Sequence, residues 1–340
     1  MAFMPAVARR ASAPHWQHWQ RSSRLGVAAA VAITRVYFPW QRHFCEAAMS
    51  SPMQFKKPLL SGQEAVQFAR NSRMTPIDAT WYMEKQGVPQ SPEELFSDRR
   101  LPGASRFDID ALGDPASELP HMLPSSSMMQ AFASKAGISS LSDPILVYVH
   151  PNSFNAPRVW WTFRVFGFTN VAILQGGIRM WEEAGGAVEA SSASEVETPL
   201  IPLKVNDRWV LSLRDMRDNV ASQQLAMVDT RSARSYSVGH IPGAISVPYE
   251  TMLQEDWDCM KSPQALAQEF RKKGIDLTKT VMATCGSGVS TCIFVFGAHL
   301  LGTPLDLLPV YDGSFAQWGH ARMDRGLCPI VAGPSPLGVK

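Results

Sequence analysis

The sequence predicts an α/β protein of two tandem domains, each a mainly parallel sheet with helices on both faces. Three observations predict it. Apolar runs of four or five residues alternate with helical stretches, the pattern of strands buried between helical layers. The same series of elements occurs twice in the same order. Between the copies lies Ala190-Ser191-Ser192-Ala193-Ser194-Glu195-Val196-Glu197-Thr198-Pro199, whose small, polar composition is that of a linker.

The first copy begins with Pro76-Ile77-Asp78-Ala79-Thr80, a strand, followed by the turn Leu101-Pro102-Gly103-Ala104. Ile145-Leu146-Val147-Tyr148-Val149 is the next strand, then come a loop and an apolar helix ending near Gly167. Val171-Ala172-Ile173-Leu174, Gly176 and Trp181 close the copy. The second copy has Met227-Val228-Asp229-Thr230, the turn Ile241-Pro242-Gly243-Ala244, a strand Val281 to Cys285, a loop and an apolar helix ending near Gly302. A strand over Leu307 to Val310, Gly313 and Trp318 close it, and the Gly-to-Trp interval is the same in both copies. These limits place a leader over 1–52, domain one over 53–190, a linker over 191–203 and domain two over 204–333, with the end of the chain frayed.

A chain of 340 residues has room for two such domains, and 45% apolar with 18% charged residues is the balance of a globular protein. The net charge of +2 argues against a dedicated nucleic-acid binder. Five cysteines, at 45, 259, 285, 292 and 328, form neither a C-x-x-C pair nor a zinc spacing, so reduced thiols in an intracellular compartment and no metal are expected. Residues 1–45 carry Arg9, Arg10, Arg21, Arg24, Arg35 and Arg42 without an acidic residue, which is the composition of an organelle transit peptide. The apolar run Leu25–Ile33 falls short of the roughly 20 residues a membrane span needs. The mitochondrial matrix is the expected address, with plastid or cytoplasm as alternatives.

The chemistry concentrates in Val281-Met282-Ala283-Thr284-Cys285-Gly286-Ser287-Gly288-Val289-Ser290-Thr291. A strand, a tight loop of small residues and a helix start bring the Cys285 sulfur to the point where backbone N–H groups and the positive end of a helix converge. Such a place favours a thiolate, and a thiolate in an anion-binding loop is a nucleophile for a small anionic substrate. Small residues let the backbone close around sulfur. A cysteine phosphatase would need C-x5-R so that an arginine clamps the phosphate; six positions after Cys285 stands Thr291, which excludes that class.

With these residues in view, the chain resembles the two-domain rhodanese family of sulfurtransferases, and Cys285-Gly286-Ser287-Gly288-Val289 resembles the loop of its 3-mercaptopyruvate branch. Ala156-Pro157-Arg158-Val159-Trp160-Trp161, Phe163-Arg164-Val165-Phe166-Gly167, His121-Met122-Leu123-Pro124 and Tyr311-Asp312-Gly313-Ser314 match as well, so the resemblance runs from about Ser61 to Trp318. It implies that Cys285 takes sulfur from 3-mercaptopyruvate as a persulfide and passes it to cyanide, a thiol or reduced thioredoxin, without a cofactor. N–H groups of Gly286, Ser287, Gly288, Val289, Ser290 and Thr291 would hold the negative charge, and Ser287 would donate to the departing enolate. Members that prefer thiosulfate carry two cations directly after the cysteine. Gly286 and Ser287 are neutral, so mercaptopyruvate is the expected donor. Thiosulfate:cyanide transfer and a non-catalytic binding module are the alternatives. In the first copy the cysteine position falls at Val149 or His150, so that domain is catalytically silent and forms one wall of the cleft; Trp160 and Trp161 are core or interface residues.

The sequence also departs from the family. The insertion expected between Tyr236 and Gly239, with its Pro-Arg element, is absent, and the slot of the carboxylate-gripping arginine holds Ser235; Arg234, one place earlier, takes that role here. Arg231 is expected to pair with Asp229. The family's histidine before the first Ile-Pro-Gly-Ala, taken as the support for the loop serine, is Arg100 here. A Ser–His relay on Ser287 is therefore not expected, and Arg100 or Arg99 is assigned to supply positive charge across the domain interface. Cys292 is expected buried in its helix, Cys259 exposed, Cys328 without a partner, and His240 a turn-stabilising residue.

Overall fold

The computed structural model describes residues 52–83, 88–190, 197–320 and 327–334. Nearly all of the expected leader and the first half of the expected linker lie outside the described residues. The first sheet is built from β1 (Leu59–Leu60), β2 (Thr75–Asp78), β3 (Ser105–Arg106), β4 (Ile145–Tyr148) and β5 (Val171–Leu174), ordered β1-β5-β4-β2-β3 with every pair parallel. The second is built from β6 (Val210–Leu211), β7 (Ala226–Asp229), β8 (Ala244–Ser246), β9 (Val281–Thr284) and β10 (Val310–Tyr311), ordered β6-β10-β9-β7-β8 and again parallel. The repeat seen in the sequence is thus a repeat of topology, position for position.

Parallel neighbours require crossovers, and helices supply them. Domain one carries α1 (Gly62–Asn71), α2 (Pro92–Asp98), α3 (Ser126–Lys135), α4 (Ala156–Val165) and α5 (Gly177–Glu183). Domain two carries α6 (Leu213–Ser222), α7 (Ala233–Val238), α8 (Pro263–Lys272), α9 (Thr291–Leu300) and α10 (Ser314–His320). Ser61 with Glu64, Ser91 with Glu94 and Ser212 with Asp215 close capping boxes that fix the starts of α1, α2 and α6. The strand expected over Leu307–Val310 is shifted: Leu305–Leu307 is a 3-10 turn and β10 starts at Val310. Pro304 and Pro309 punctuate that run, and neither has an N–H to give a ladder.

Alternation along each strand divides the core. Ile145, Val147 and Val149 face one core, while Leu146 and Tyr148 face another on the far side of the sheet. Val228, Val281 and Ala283 likewise face the first core, and Met227 and Met282 face a third. The first core is shared by both domains, because α4 and α9 pack on each other within it. At that contact the Trp160 ring meets Phe296 edge-on at 4.8 Å between centroids. In the described part of the linker, Thr198 bonds to Ser134 and Ile138 and Leu203 enters the shared core, so 197–203 lies along domain one. Trp160 is fully buried. Trp160→Ala therefore leaves a large cavity between the domains and is expected to lower stability by about 3–5 kcal/mol in urea unfolding.

Candidate active site

Cys285 follows β9 directly and is 1% exposed. Its backbone N–H and that of Gly288 both donate to Ser314 Oγ at 3.1 Å, and the same hydroxyl donates to Tyr311 O at 2.8 Å. Ser314 Oγ lies 3.8 Å from the Cys285 sulfur. One buried hydroxyl, with its donor and both acceptor positions in use, thereby folds the loop into a bowl. Phe315 N–H and Ala316 N–H donate to the carbonyls of Cys285 and Gly286 at 2.9 Å, tying the bowl to α10.

Inside the bowl, Gly288 has spent its N–H on Ser314, which corrects its assignment as an anion donor. Among the described residues, the N–H groups of Gly286, Ser287, Val289, Ser290 and Thr291 donate to no protein acceptor. Ser290 Oγ bonds to Thr230 Oγ1 at 3.1 Å and makes no capping bond to α9, so the helix start is open to an anion. A Cβ built on Gly286 meets no atom within 4 Å, so space opens beside the sulfur there. Gly288 is the opposite case: its φ is 79°, and a Cβ would sit 2.6 Å from Asp312 Oδ1 and 2.8 Å from Arg158 Nη1.

Domain one contributes more than a wall. Ser287 Oγ lies 2.9 Å from His121 Nδ1, and His121 Nε2 lies 2.9 Å from Asp110 Oδ1. A carboxylate can only accept, so the proton sits on Nε2 and Nδ1 accepts the Ser287 hydroxyl. Burial holds the His121 imidazole below its ordinary value of 6.5; Asp110 pulls upward and Arg158 adds to the depression. Trp81 fixes the base of the relay, its Nε1–H donating to Asp110 Oδ2 at 2.9 Å and its ring standing edge-on to His121. The Ser–His relay therefore exists, with His121 and not residue 100 as the histidine. His121 and Ser314 both adopt positive φ, 59° and 49°, a conformation that side chains seldom take.

Arg158, at the start of α4, is 3% exposed and joins these parts. Its Nη1 donates to Asp312 Oδ1 at 2.5 Å and to Gly288 O at 2.9 Å, and its Nη2 donates to His121 O at 2.6 Å. Asp312 Oδ2 accepts the Leu123 N–H at 2.8 Å.

The other expected residues fall as follows. Arg100 is 1% exposed, ion-paired to Glu189 at 3.3 Å and set over the Phe96 ring. Its neighbour Leu101 belongs to the core on the face of sheet one away from α4, whereas the loop meets domain one through α4, so Arg100 does not serve the cleft. Arg99 pairs with Glu182. Arg234 is exposed on α7, and among the described residues its guanidinium makes no hydrogen bond or ion pair. Arg231 grips Asp229 through Nε and Nη2, reaches Gly239 O and lies over the Phe315 ring. Val149 takes the place of Cys285 in domain one: its carbonyl accepts from Ile178 as that of Cys285 accepts from Phe315. Cys292 is buried, its thiol donating to Gly288 O, and burial pushes it well above the ordinary range. Cys259 is buried rather than exposed, chiefly through which its thiol is pushed up to about 12. Cys328 accepts from Arg217 Nε at 3.3 Å, and His240 stacks on Tyr236. Asp256, Asp258 and Cys259 approach one another as a metal cluster would, but Arg179 already sits 2.6 Å from Asp256.

The rhodanese-like domain family matches residues 78–184 and 212–321. The chain is 34% identical over 287 residues to 3-mercaptopyruvate sulfurtransferase of Rattus norvegicus, covering 79% of this chain and 94% of that protein. It is 35% identical over 258 residues to thiosulfate sulfurtransferase of Bos taurus, covering 72% and 84%. The crystal structure of the 3-mercaptopyruvate sulfurtransferase SseA from Escherichia coli superposes with a TM-score of 0.69 at 27% identity, over 76% of this chain and 98% of that one. The chain belongs to the rhodanese family as a tandem pair of its domains. It is a sulfurtransferase.

Gly288→Ala forces a side chain into the Asp312–Arg158 contact at a left-handed backbone position. The expected outcome is a loss of sulfur transfer of more than about tenfold with a lower melting temperature, because overpacking and backbone strain add; unchanged activity would show that the bowl tolerates a wider loop.

Proposed function

We propose that this sulfurtransferase takes sulfur from 3-mercaptopyruvate through a persulfide on Cys285. Overall identity does not choose the donor, since relatives of both kinds lie at 34% and 35%. The observation that carries the choice is the hydroxyl of Ser287, held by His121 and Asp110, at a position where a thiosulfate enzyme would carry a cation.

In the first half-reaction the Cys285 thiolate attacks the donor sulfur. A sulfur–sulfur bond forms, the carbon–sulfur bond breaks, and its electron pair leaves as the enolate of pyruvate, which takes up a proton. The N–H groups of Gly286, Ser287, Val289, Ser290 and Thr291 stabilise the persulfide and the departing charge. As charge develops, the Ser287 O–H turns from His121 Nδ1 to the enolate oxygen, with His121 and Asp110 holding the hydroxyl in reach until then. Arg234 follows the C-terminal end of β7, beside β9, and is the cation proposed for the donor carboxylate. In the second half-reaction a thiol, thioredoxin or cyanide attacks the outer sulfur and the thiolate returns. The basic, acid-free stretch 1–45 supports delivery to the mitochondrial matrix, which import of a fusion carrying it would test.

Steady-state transfer with both donors, and Cys285→Ser as control, tests the reading. The expected kcat/KM is at least about tenfold higher for mercaptopyruvate and is abolished in the variant. Preference for thiosulfate would overturn the donor assignment. Gly286→Arg with Ser287→Lys fills the open side of the loop with two cations and is expected to reverse the preference; if the ratio stays put, the loop does not set the donor.

His121 gives a pH test. Its folded value is lowered, so it is neutral above 6.5 and protonates only below it. Once protonated, Nδ1 donates to Ser287 Oγ, and the Ser287 O–H no longer has to leave His121 to reach the enolate oxygen. The ratio of kcat for mercaptopyruvate to kcat for thiosulfate is therefore expected to be level above pH 6.5 and to rise below it. Thiosulfate, which leaves as sulfite and needs no enolate donor, supplies the reference for effects on the cysteine loop; a ratio that falls on the acid side would contradict the donor role of Ser287.

A further inference from the structure

We infer that Arg158, which belongs to the domain without a cysteine, is a positioning residue for the mercaptopyruvate half-reaction: it sets the distance between Ser287 and His121. The inference rests on the donor reading above. Ser287 and His121 are 166 residues apart and come from different domains, so a contact between the domains has to fix one against the other. One guanidinium does. Nη1 holds the carbonyl of Gly288, the residue after Ser287, and Nη2 holds the carbonyl of His121 itself. Each bond is made to the backbone of a relay residue or its neighbour, so moving Arg158 moves both ends of the relay.

The guanidinium is itself constrained on every side. Asp312 takes Nη1 through one oxygen and the Leu123 N–H through the other, so the carboxylate repeats the same link between domains. The Trp161 ring lies 5.1 Å from the guanidinium carbon. A side chain 3% exposed cannot swing out to avoid strain. The planar fork of arginine reaches two carbonyls at once, which lysine, a point charge, cannot do. The positive φ of His121 shows the backbone being held where an unconstrained residue would relax. This position does not touch the donor; it acts through His121 and Ser287.

A structural role and a positioning role predict different things. Thiosulfate cleavage uses the Cys285 bowl but no enolate donor, so it is insensitive to the relay. Arg158→Lys keeps a charge opposite Asp312 and loses the fork. It is expected to lower kcat for mercaptopyruvate on the order of 10–100-fold, the scale of about a 1 Å misplacement, with KM nearly unchanged. The same variant is expected to lower kcat for thiosulfate by less than about threefold. In a cycle with His121→Asn, the second substitution is expected to cost less than about twofold more, because both remove one relay. Asp312→Asn, which keeps an oxygen for Leu123 and loses the ionic hold on Arg158, gives the same split to a smaller degree should the lysine variant fold poorly. Equal losses with both donors in these variants, or multiplicative losses in the cycle, would overturn the role while leaving the donor reading intact. A wild-type protein inactive with mercaptopyruvate would remove the donor reading and the role together.

Discussion

The ion pair of Arg158 and Asp312, both buried, is the contact on which the alignment of domain one with the cysteine loop depends. Removing two charges from water costs several kcal/mol per ion, and their attraction recovers it only where the remaining hydrogen bonds are made. Here they are made: Gly288 O, His121 O and the Leu123 N–H complete the pair. Such a pair is weak evidence for stability and stronger evidence for geometry. It fixes one arrangement of two domains whose shared apolar core, by itself non-directional, would tolerate small slides.

That geometry has a local cost. His121 and Ser314 sit at positive φ, and Gly288 is the residue type that such a backbone admits without penalty. All three stand beside Cys285 or Ser287. The strain persists because hydrogen bonds over-determine it: Ser314 Oγ alone satisfies two loop N–H groups and one carbonyl. The loop is thereby held in shape by the chain's own hydrogen bonds, which is what electrostatic stabilisation of a developing charge requires.

Much of this was legible in the sequence, and the illegible part has a physical cause. Apolar runs between turn signals showed the strands, and repetition at fixed order showed the tandem plan. The two-residue strands β1 and β6 carry too little pattern to be read, and the run before β10 looked extended where two prolines turn it. The cysteine loop was contiguous and therefore visible. The relay was not, because its members come from distant segments that meet only in the folded chain. His121 stands in a motif that matches the family, but residue 100, which precedes a familiar turn, draws the assignment instead. Leu101 in that turn packs into a core on the other face of its sheet, and the alternation along β4 could have suggested that separation. Arg158 looked like one more residue of an aromatic helix start. Nothing in one sequence distinguishes an arginine on a surface from one that reaches into a second domain.

The account makes Cys285 the carrier of sulfur between two half-reactions, and mass spectrometry of the protein after mercaptopyruvate is added without an acceptor tests this most directly. The predicted result is one added sulfur atom, located on the peptide containing Cys285, with one pyruvate released per chain and the added sulfur removed by a thiol. Pyruvate release without added sulfur, or sulfur found on Cys259, Cys292 or Cys328 instead, would contradict it.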